Sequence, residues 1–430
     1  MNDPKDKRTT CSMEKRSSIK ASIAATAARR KNQVLKVYEC KIVEKRLNRN
    51  QKEQLDMLFV EGKWFYNHVL GMHRNGTELA KINTTAIKAV ERLDKDRNVV
   101  TSELEHLNAQ QKQAIVSRMA ANEKAILSLV RKGYQTHGNL KFLSELTSIP
   151  LKQYGISYKF KTFNKVKIGG ISGNVLVRTG GQLQNVDELA NASLVKRADG
   201  YFLKVTTFTG KDKVAERPKN GREIGLDFGV KTAMTTSEGE KIDLSVGESE
   251  RLKRLQREMR RRAKGSSNRG RTISRIRREY LRLSNRKRDK ANKIVSRLKA
   301  YDTIVIQDEQ IAGWHKGLFG KQVQHSCLGL VKARLMALPQ TVVLDRWIPT
   351  TKWCPRCGTV NRYVTLSDRT YRCGCGYSED RDVHAARNML EIRSLVCEKL
   401  SLVPTEHREV TLTEFRSSTG DGDVSGKPGR

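Results

Sequence analysis

Two groups of residues in this sequence have the types and spacing to do chemistry. The first is WCPRCGTV with YRCGCGYS, which supplies Cys354 and Cys357, then Cys373 and Cys375 after fifteen intervening residues. Each close pair fits a tight turn that points two thiolates inward, and two such turns facing each other make a tetrahedral sulfur cage suited to Zn2+. Gly374 and Gly376 give the C-x-C turn the backbone freedom it needs. Four thiolates close the coordination sphere, so the zinc is expected to be structural, not catalytic. A pair of redox couples is the competing reading, and it does not account for both turns. Cys11, Cys40, Cys327 and Cys397 are scattered, as reduced thiols of a cytosolic protein are.

The second group is carboxylates at the ends of apolar stretches. REIGLDFGVKTAMTTSEGEKI (222–242) reads as antiparallel strands with a turn at Glu238-Gly239, and Asp227 lies inside an apolar strand two residues before Gly229. YDTIVIQDEQIAGW (301–314) is an apolar strand ending in Gln307, Asp308 and Glu309. GYSEDRDVHAARNML (376–390) follows the cysteines, and Asp382 opens what reads as a helix. A buried carboxylate is expensive unless paired or metal-bound. Any one of these acids is equally well explained as a solvated strand end, and G-x-D-x-G also occurs in actin-like kinases. Together they form a workable cradle for two Mg2+ ions, which activate water and stabilise the leaving oxygen of a phosphodiester displacement.

The elements that must position these groups follow from pattern. LKVYECKIVEK (35–45) alternates as a strand. Asn48 is a candidate cap for a helix whose apolar stripe is Leu55, Leu58, Phe59, Gly62, Phe65, Tyr66 and Val69. Residues 85–132 read as further amphipathic helices, with Ser102 and Glu105 as a candidate capping box. ISYKFKTF, KVKIGG, NVLVRT and YFLKVTTFTG between 156 and 210 read as short strands of a small β-barrel or open sheet. The strand at 35–45 is expected to pair into it, leaving the helices as an insertion.

Charge narrows the partner. Lys and Arg number 83 against 46 acids, a net charge of +37. Self-repulsion on that scale asks for a polyanion, and nucleic acid drives such binding by counterion release. Between Arg251 and Ala300 there are 21 basic residues and three acids, Glu258, Glu279 and Asp289. That segment reads as two basic helices joined at GSSNRG, with a phosphate-tracking face. No apolar run is long enough to cross a membrane, and the basic N-terminus lacks the apolar core of a secretion signal. Residues 1–34 are expected to be a disordered basic arm and 399–430 a disordered tail.

The order G-L-D-F-G, apolar strand plus acid, C-x2-C with C-x-C, then D-V-H-A-A-R-N resembles the transposon-encoded TnpB nucleases and the compact type V-F CRISPR effectors, the miniature Cas12-like proteins. The resemblance is sharp over 222–392 and loose before it. It implies a multidomain α+β chain: an N-terminal β-barrel-like wedge domain (35–49 and 148–215) with an inserted helical recognition domain (50–147). An RNase H-like (RuvC) α/β nuclease follows (216–346 and 377–398, with the basic hairpin 247–300), with an embedded zinc ribbon (347–376). It implies catalytic acids at Asp227, at a glutamate near Glu309, and at Asp382, all acting through Mg2+. It also implies guide RNA, target double-stranded DNA and displaced single-stranded DNA as partners. The expected setting is prokaryotic cytoplasm, nucleoid-associated when DNA is bound.

Two positions depart from the family. Gln307 stands where the family carries glutamate, and His384 where it carries asparagine. Glu309 shares the strand face of Gln307 but lies one pleat further, roughly 6–7 Å away. A bend at the strand end brings it back; Asp308 serves only if the strand bulges; with neither, the protein is a guided binder that does not cut. The leading expectation is an RNA-guided DNA endonuclease reading a short flanking motif. The alternatives are a guided repressor without cleavage and a transposase acting without RNA. Whether one copy or two bind one guide RNA is not fixed by the sequence.

Overall fold

The computed structural model describes residues 18, 20–94, 98–133, 139–214, 218–365, 367–399, 409–411 and 413–415. Two compact units divide the chain, 1–215 and 216–430.

The first unit begins with a helix over residues 20–31 (α1). β1 (Gln33–Ile42), α2 (Arg49–Arg74), β2 (Ala89–Leu93), β3 (Val99–Glu103) and α3 (Ala109–Arg131) follow. β4 (Ser148–Leu151), β5 (Tyr158–Thr162), β6 (Lys165–Ile168), β7 (Val175–Arg178), β8 (Glu188–Arg197) and β9 (Gly200–Gly210) complete it. The strand order β4-β8-β9-β1-β7-β6-β5 makes a nearly closed, barrel-like sheet. β1 pairs with β7 and β9, so the helices are inserted between its strands. Asn48 caps α2 in a reciprocal box with Gln51, and the apolar stripe of α2 packs on the sheet.

Three expectations about this part of the chain are corrected. Residues 20–31 are helical where a disordered arm was expected; residues 1–17 and 19 lie outside the described residues. The Ala-rich segment favours helix, and it is anchored where Arg29 and Arg30 both pair with Glu188 and Arg30 lies over the Phe208 ring. Residues 89–93 and 99–103 pair as antiparallel strands instead of helix, because the β-branched run Val99-Val100-Thr101 fits a strand. Ser102 is therefore a strand residue, and α3 is capped six residues later by Asn108 with Gln111.

The second unit starts with β10 (Glu223–Asp227), β11 (Met234–Thr236) and β12 (Lys241–Ile242). The basic helices α4 (Glu250–Arg261) and α5 (Ser267–Leu298) come next. β13 (Thr303–Gln307), the short α6 (Ile311–Trp314) and α7 (Gly320–Gln324), α8 (Leu328–Met336) and β14 (Thr341–Leu344) follow. β15 (Thr370–Arg372), β16 (Ser378–Asp380), α9 (Arg381–Lys399) and β17 (Glu409–Val410) close it. The sheet order is β12-β11-β10-β13-β14-β17, antiparallel up to β10 and parallel from β10 onward. This is the RNase H-like α/β arrangement.

Alternating side chains give the sheet two apolar faces. Ile224, Leu226, Ile304 and Ile306 pack with α5 and α8, whereas Val305 and Leu344 pack with Met389 and Ile392 of α9. The expected disordered tail is corrected in part: β17 extends the sheet, and Phe415 is buried against Trp353 with ring centroids 6.3 Å apart. A two-residue strand is too short to show periodicity. Residues 400–408, 412 and 416–430 of that tail lie outside the described residues.

Candidate metal centres

Asp227 is the last residue of β10, and its place relative to Asp382 follows from one glycine. Gly225 lies two residues before Asp227 on the same face of the strand, about 6.6 Å back. A Cβ at Gly225 would lie 1.9 Å from the carbonyl oxygen of Ala386, so only glycine lets α9 dock there. Asp382 is four residues before Ala386 on the same helix face, about 6 Å back. The two steps match, so seating Ala386 on Gly225 carries Asp382 to Asp227. The first turn of α9 is held by Asp380, whose Oδ1 accepts the backbone N–H groups of Asp382 and Val383 at 3.1 and 3.2 Å.

The second acid arrives through a bend. Asp308 still donates its N–H to Leu344 in the ladder with β14, and then the Glu309 N–H turns back to the carbonyl of Gln307 at 3.0 Å. This three-residue turn carries Glu309 to Lys332 of α8, near enough for its charge to act on Asp227. Asp308 is drawn away into an ion pair with Arg346. Gln307 is buried, and its amide is fully used: Nε2 donates to the carbonyls of Asp345 and Ile348 at 3.0 and 2.8 Å, and Oε1 accepts from the Thr350 hydroxyl at 3.0 Å. It fastens the end of β13 to the start of the cysteine-bearing segment.

Electrostatics show that Asp227 feels the other two acids. Burial holds the Asp227 carboxyl well above the ordinary carboxylate range, and the nearby Glu309 and then Asp382 push it further, with Arg381 opposing. Burial also raises Glu309, against the pull of Lys332. Oxygen donors that repel one another in one densely surrounded place are what a divalent cation neutralises. Glu309 Oε1 is buried without any hydrogen-bond partner, so a hard oxygen donor is open to a cation there, although the three acids are not gathered as tightly as the four cysteines.

The four cysteines are gathered as well. Their Sγ atoms lie within 4.8 Å of one another, the one such group of potential ligands among the described residues. Cys354–Cys375 and Cys357–Cys373 are 3.7 and 3.5 Å apart. A zinc–sulfur bond of about 2.3 Å gives tetrahedral edges of about 3.8 Å, so these residues fit Zn2+. Burial pushes the Cys354 thiol up to about 11, while the Thr359 hydroxyl and N–H hold Cys357 down to about 6. The hairpin β15–β16 runs to Asp380, beyond the expected end of the ribbon at 376, and leads straight into α9.

Known proteins match over these same stretches. The family model "Cas12f1-like, TNB domain" matches residues 336–389, and the IS605 OrfB model, "Probable transposase", matches 205–316. Over these stretches the chain is similar to the TnpB/Cas12f family. A Streptomyces pristinaespiralis relative, named as a candidate RNA-guided DNA endonuclease, is 33% identical over 204 residues, covering 45% of this chain and 50% of that one. Escherichia coli K12 InsQ, similarly named, is 27% identical over 195 residues, covering 39% and 48%. The chain spans about half the length of these two relatives. A Cas12f1 chain solved with sgRNA and target DNA aligns over 83% of this chain and 99% of that one, at 12% identity and a TM-score of 0.43.

His384, the other departure from the family pattern, is fully buried. It stacks on Tyr371 of β15 (centroids 3.8 Å apart, 15° between planes), and its Nε2 lies 3.0 Å from Asn388 Nδ2. Asn388 Nδ2 donates to the carbonyls of Thr350 and Trp353 at 2.7 and 2.8 Å. With its pKa pushed by burial to about 4, His384 is a neutral ring that joins α9 to the ribbon. Sequence reasoning missed Lys332 and Arg381, the cations beside Glu309 and Asp382. Nothing marks either one among 83 basic residues. It also missed Thr235, which is paired across the ladder with Asp227 and whose buried hydroxyl has no partner.

Proposed function

We propose that the protein is an RNA-guided DNA endonuclease that hydrolyses phosphodiester bonds at Asp227, Glu309 and Asp382. One observation carries this reading: Asp227 is densely surrounded at the sheet edge and feels both Glu309 and Asp382. A carboxylate is held in such surroundings at a cost that a bound cation repays. The three acids would hold Mg2+, which supplies Lewis acidity toward the phosphodiester and a nucleophilic water.

The other parts fit this role. The barrel with α2 and α3 serves as the wedge and recognition domains that grip guide RNA. The face of α4 carrying Arg254, Arg257 and Arg261 lines an open concavity, suited to a phosphate backbone. Base pairing would read the target, while the protein reads heteroduplex shape and a short flanking motif. The displaced strand would enter the cleft beside Glu309, lined by Lys287, His315, Gln324 and Lys332. The zinc ribbon touches target nucleic acid and pins α9.

The test starts from the RNA that copurifies with the protein. It is sequenced, and the complex is given a guide-matched plasmid with a randomised flanking sequence. Cleavage is expected to require guide and Mg2+ together. It should fall about a thousandfold with Asp227→Ala, the equivalent of several kcal/mol of metal-supplied stabilisation. Wild-type cutting by Asp227→Ala refutes the site. Guided binding without cutting leaves a repressor, and cutting without RNA leaves a transposase. The mass of the reconstituted complex tells one copy per guide from two.

A further inference from the structure

Glu309 lies beyond the last ladder bond of β13, in a three-residue turn where strand pairing no longer fixes it. The Lys332 ammonium contacts it twice, pairing with Oε2 and donating to the Glu309 backbone carbonyl at 2.9 Å. Lys332 stands on the buried stripe of α8, with Leu328, Val331 and Leu335, and is only 4% exposed. Its ammonium lies 5.9 Å from the ring centre of Phe228, the residue after Asp227. A lysine on an apolar stripe is costly unless it is paired, so its position is set by helix docking and it cannot swing freely. Glu309 Oε1 is left buried and without a partner.

We infer that Lys332 is a positioning residue that makes Glu309 a single-oxygen metal ligand, reserving Oε2 and the backbone so that only Oε1 is free to coordinate. This rests on the proposed metal site and deepens it. It explains how an acid two residues past the strand serves where Gln307 occupies the strand position. Gln307 locks the strand end from the ribbon side, and Lys332 locks the turn from α8. The competing account is that Lys332 merely supplies positive charge in the metal's place, and the two accounts predict opposite effects on metal affinity.

The test measures Mn2+ binding to the full-length, zinc-loaded protein by electron paramagnetic resonance, without relying on cleavage. Lys332→Met should weaken Mn2+ binding by roughly 10–100-fold, as loss of an orienting partner of a ligand does. Lys332→Arg, which keeps a cation with two donors, should recover most of it. In cleavage the half-saturating Mg2+ concentration should rise by the same factor. Equal or tighter Mn2+ binding by Lys332→Met overturns the proposal and favours the charge-substitute account. Should Lys332→Met fail to fold, Lys332→Gln and Lys332→Arg decide the matter, because positioning predicts weaker binding for Gln than for Arg and charge substitution predicts the reverse. Asp227→Asn is the control for the site itself: unchanged Mn2+ binding there sinks the metal-site reading, whatever Lys332 does.

Discussion

Restoring the family's acid at Gln307 should damage this protein. In Gln307→Glu the side chain keeps its size but loses the amide that donates to Asp345 and Ile348. Two carbonyl oxygens then lose their donor and face a carboxylate oxygen instead. Each unsatisfied buried group costs about 1–3 kcal/mol, so the loss is roughly 2–6 kcal/mol in total. For a unit of 215 residues, each kcal/mol moves the melting temperature by about 2–4 °C. The expected drop is therefore roughly 5–20 °C, read by calorimetry of the zinc-loaded chain. Guided cleavage should fall with it, because Gln307 ties β13 to Thr350, whose backbone carbonyl accepts from the Asn388 amide of α9. If Gln307→Glu melts within about 2 °C of wild type and cuts faster, then Gln307 is a vacated ligand position and the bend to Glu309 is irrelevant.

Further outcomes follow from the same geometry. The raised Asp227 carboxyl favours its protonated form in the metal-free fold, so its contribution to stability is present at low pH and is lost as pH rises through its elevated pKa. In chelator, Asp227→Asn should match wild type near pH 4 and be more stable at pH 8, by about 1–3 kcal/mol; Mg2+ should narrow the gap, and a gap that instead grew toward low pH contradicts the argument. Stripping zinc, or Cys357→Ser, should abolish cleavage even in ample Mg2+, because β16 leads directly into Asp382; normal cutting by protein shown by elemental analysis to lack zinc rules this out. Gly225→Ala should unseat α9, since the added methyl meets the Ala386 carbonyl, lowering stability and Mn2+ binding together; unchanged Mn2+ binding refutes the docking argument. Alanine at Arg254, Arg257 and Arg261 together should reduce the salt slope of nucleic-acid binding by about 3, and an unchanged slope removes that face from the interface.

Residue types and local spacing settled much of this protein. The C-x2-C and C-x-C turns, the apolar strands leading to Asp227 and Gln307, the stripe of α2 and the strongly basic helices α4 and α5 are all written in short-range pattern. Short-range pattern failed where competing local signals were close in strength. Val99-Val100-Thr101 took the strand over the helix, and Ala-rich 20–31 ordered because Glu188, far along the chain, holds its arginines. Only the tertiary structure sent Glu309 and Asp308 different ways, through a turn that closes on Gln307 while Arg346 takes Asp308 and Lys332 takes Glu309. Sequence fixes which acids are available; which of them meet depends on long-range packing, above all the seat that Gly225 offers α9, and contacts so distant along the chain leave no periodicity to read.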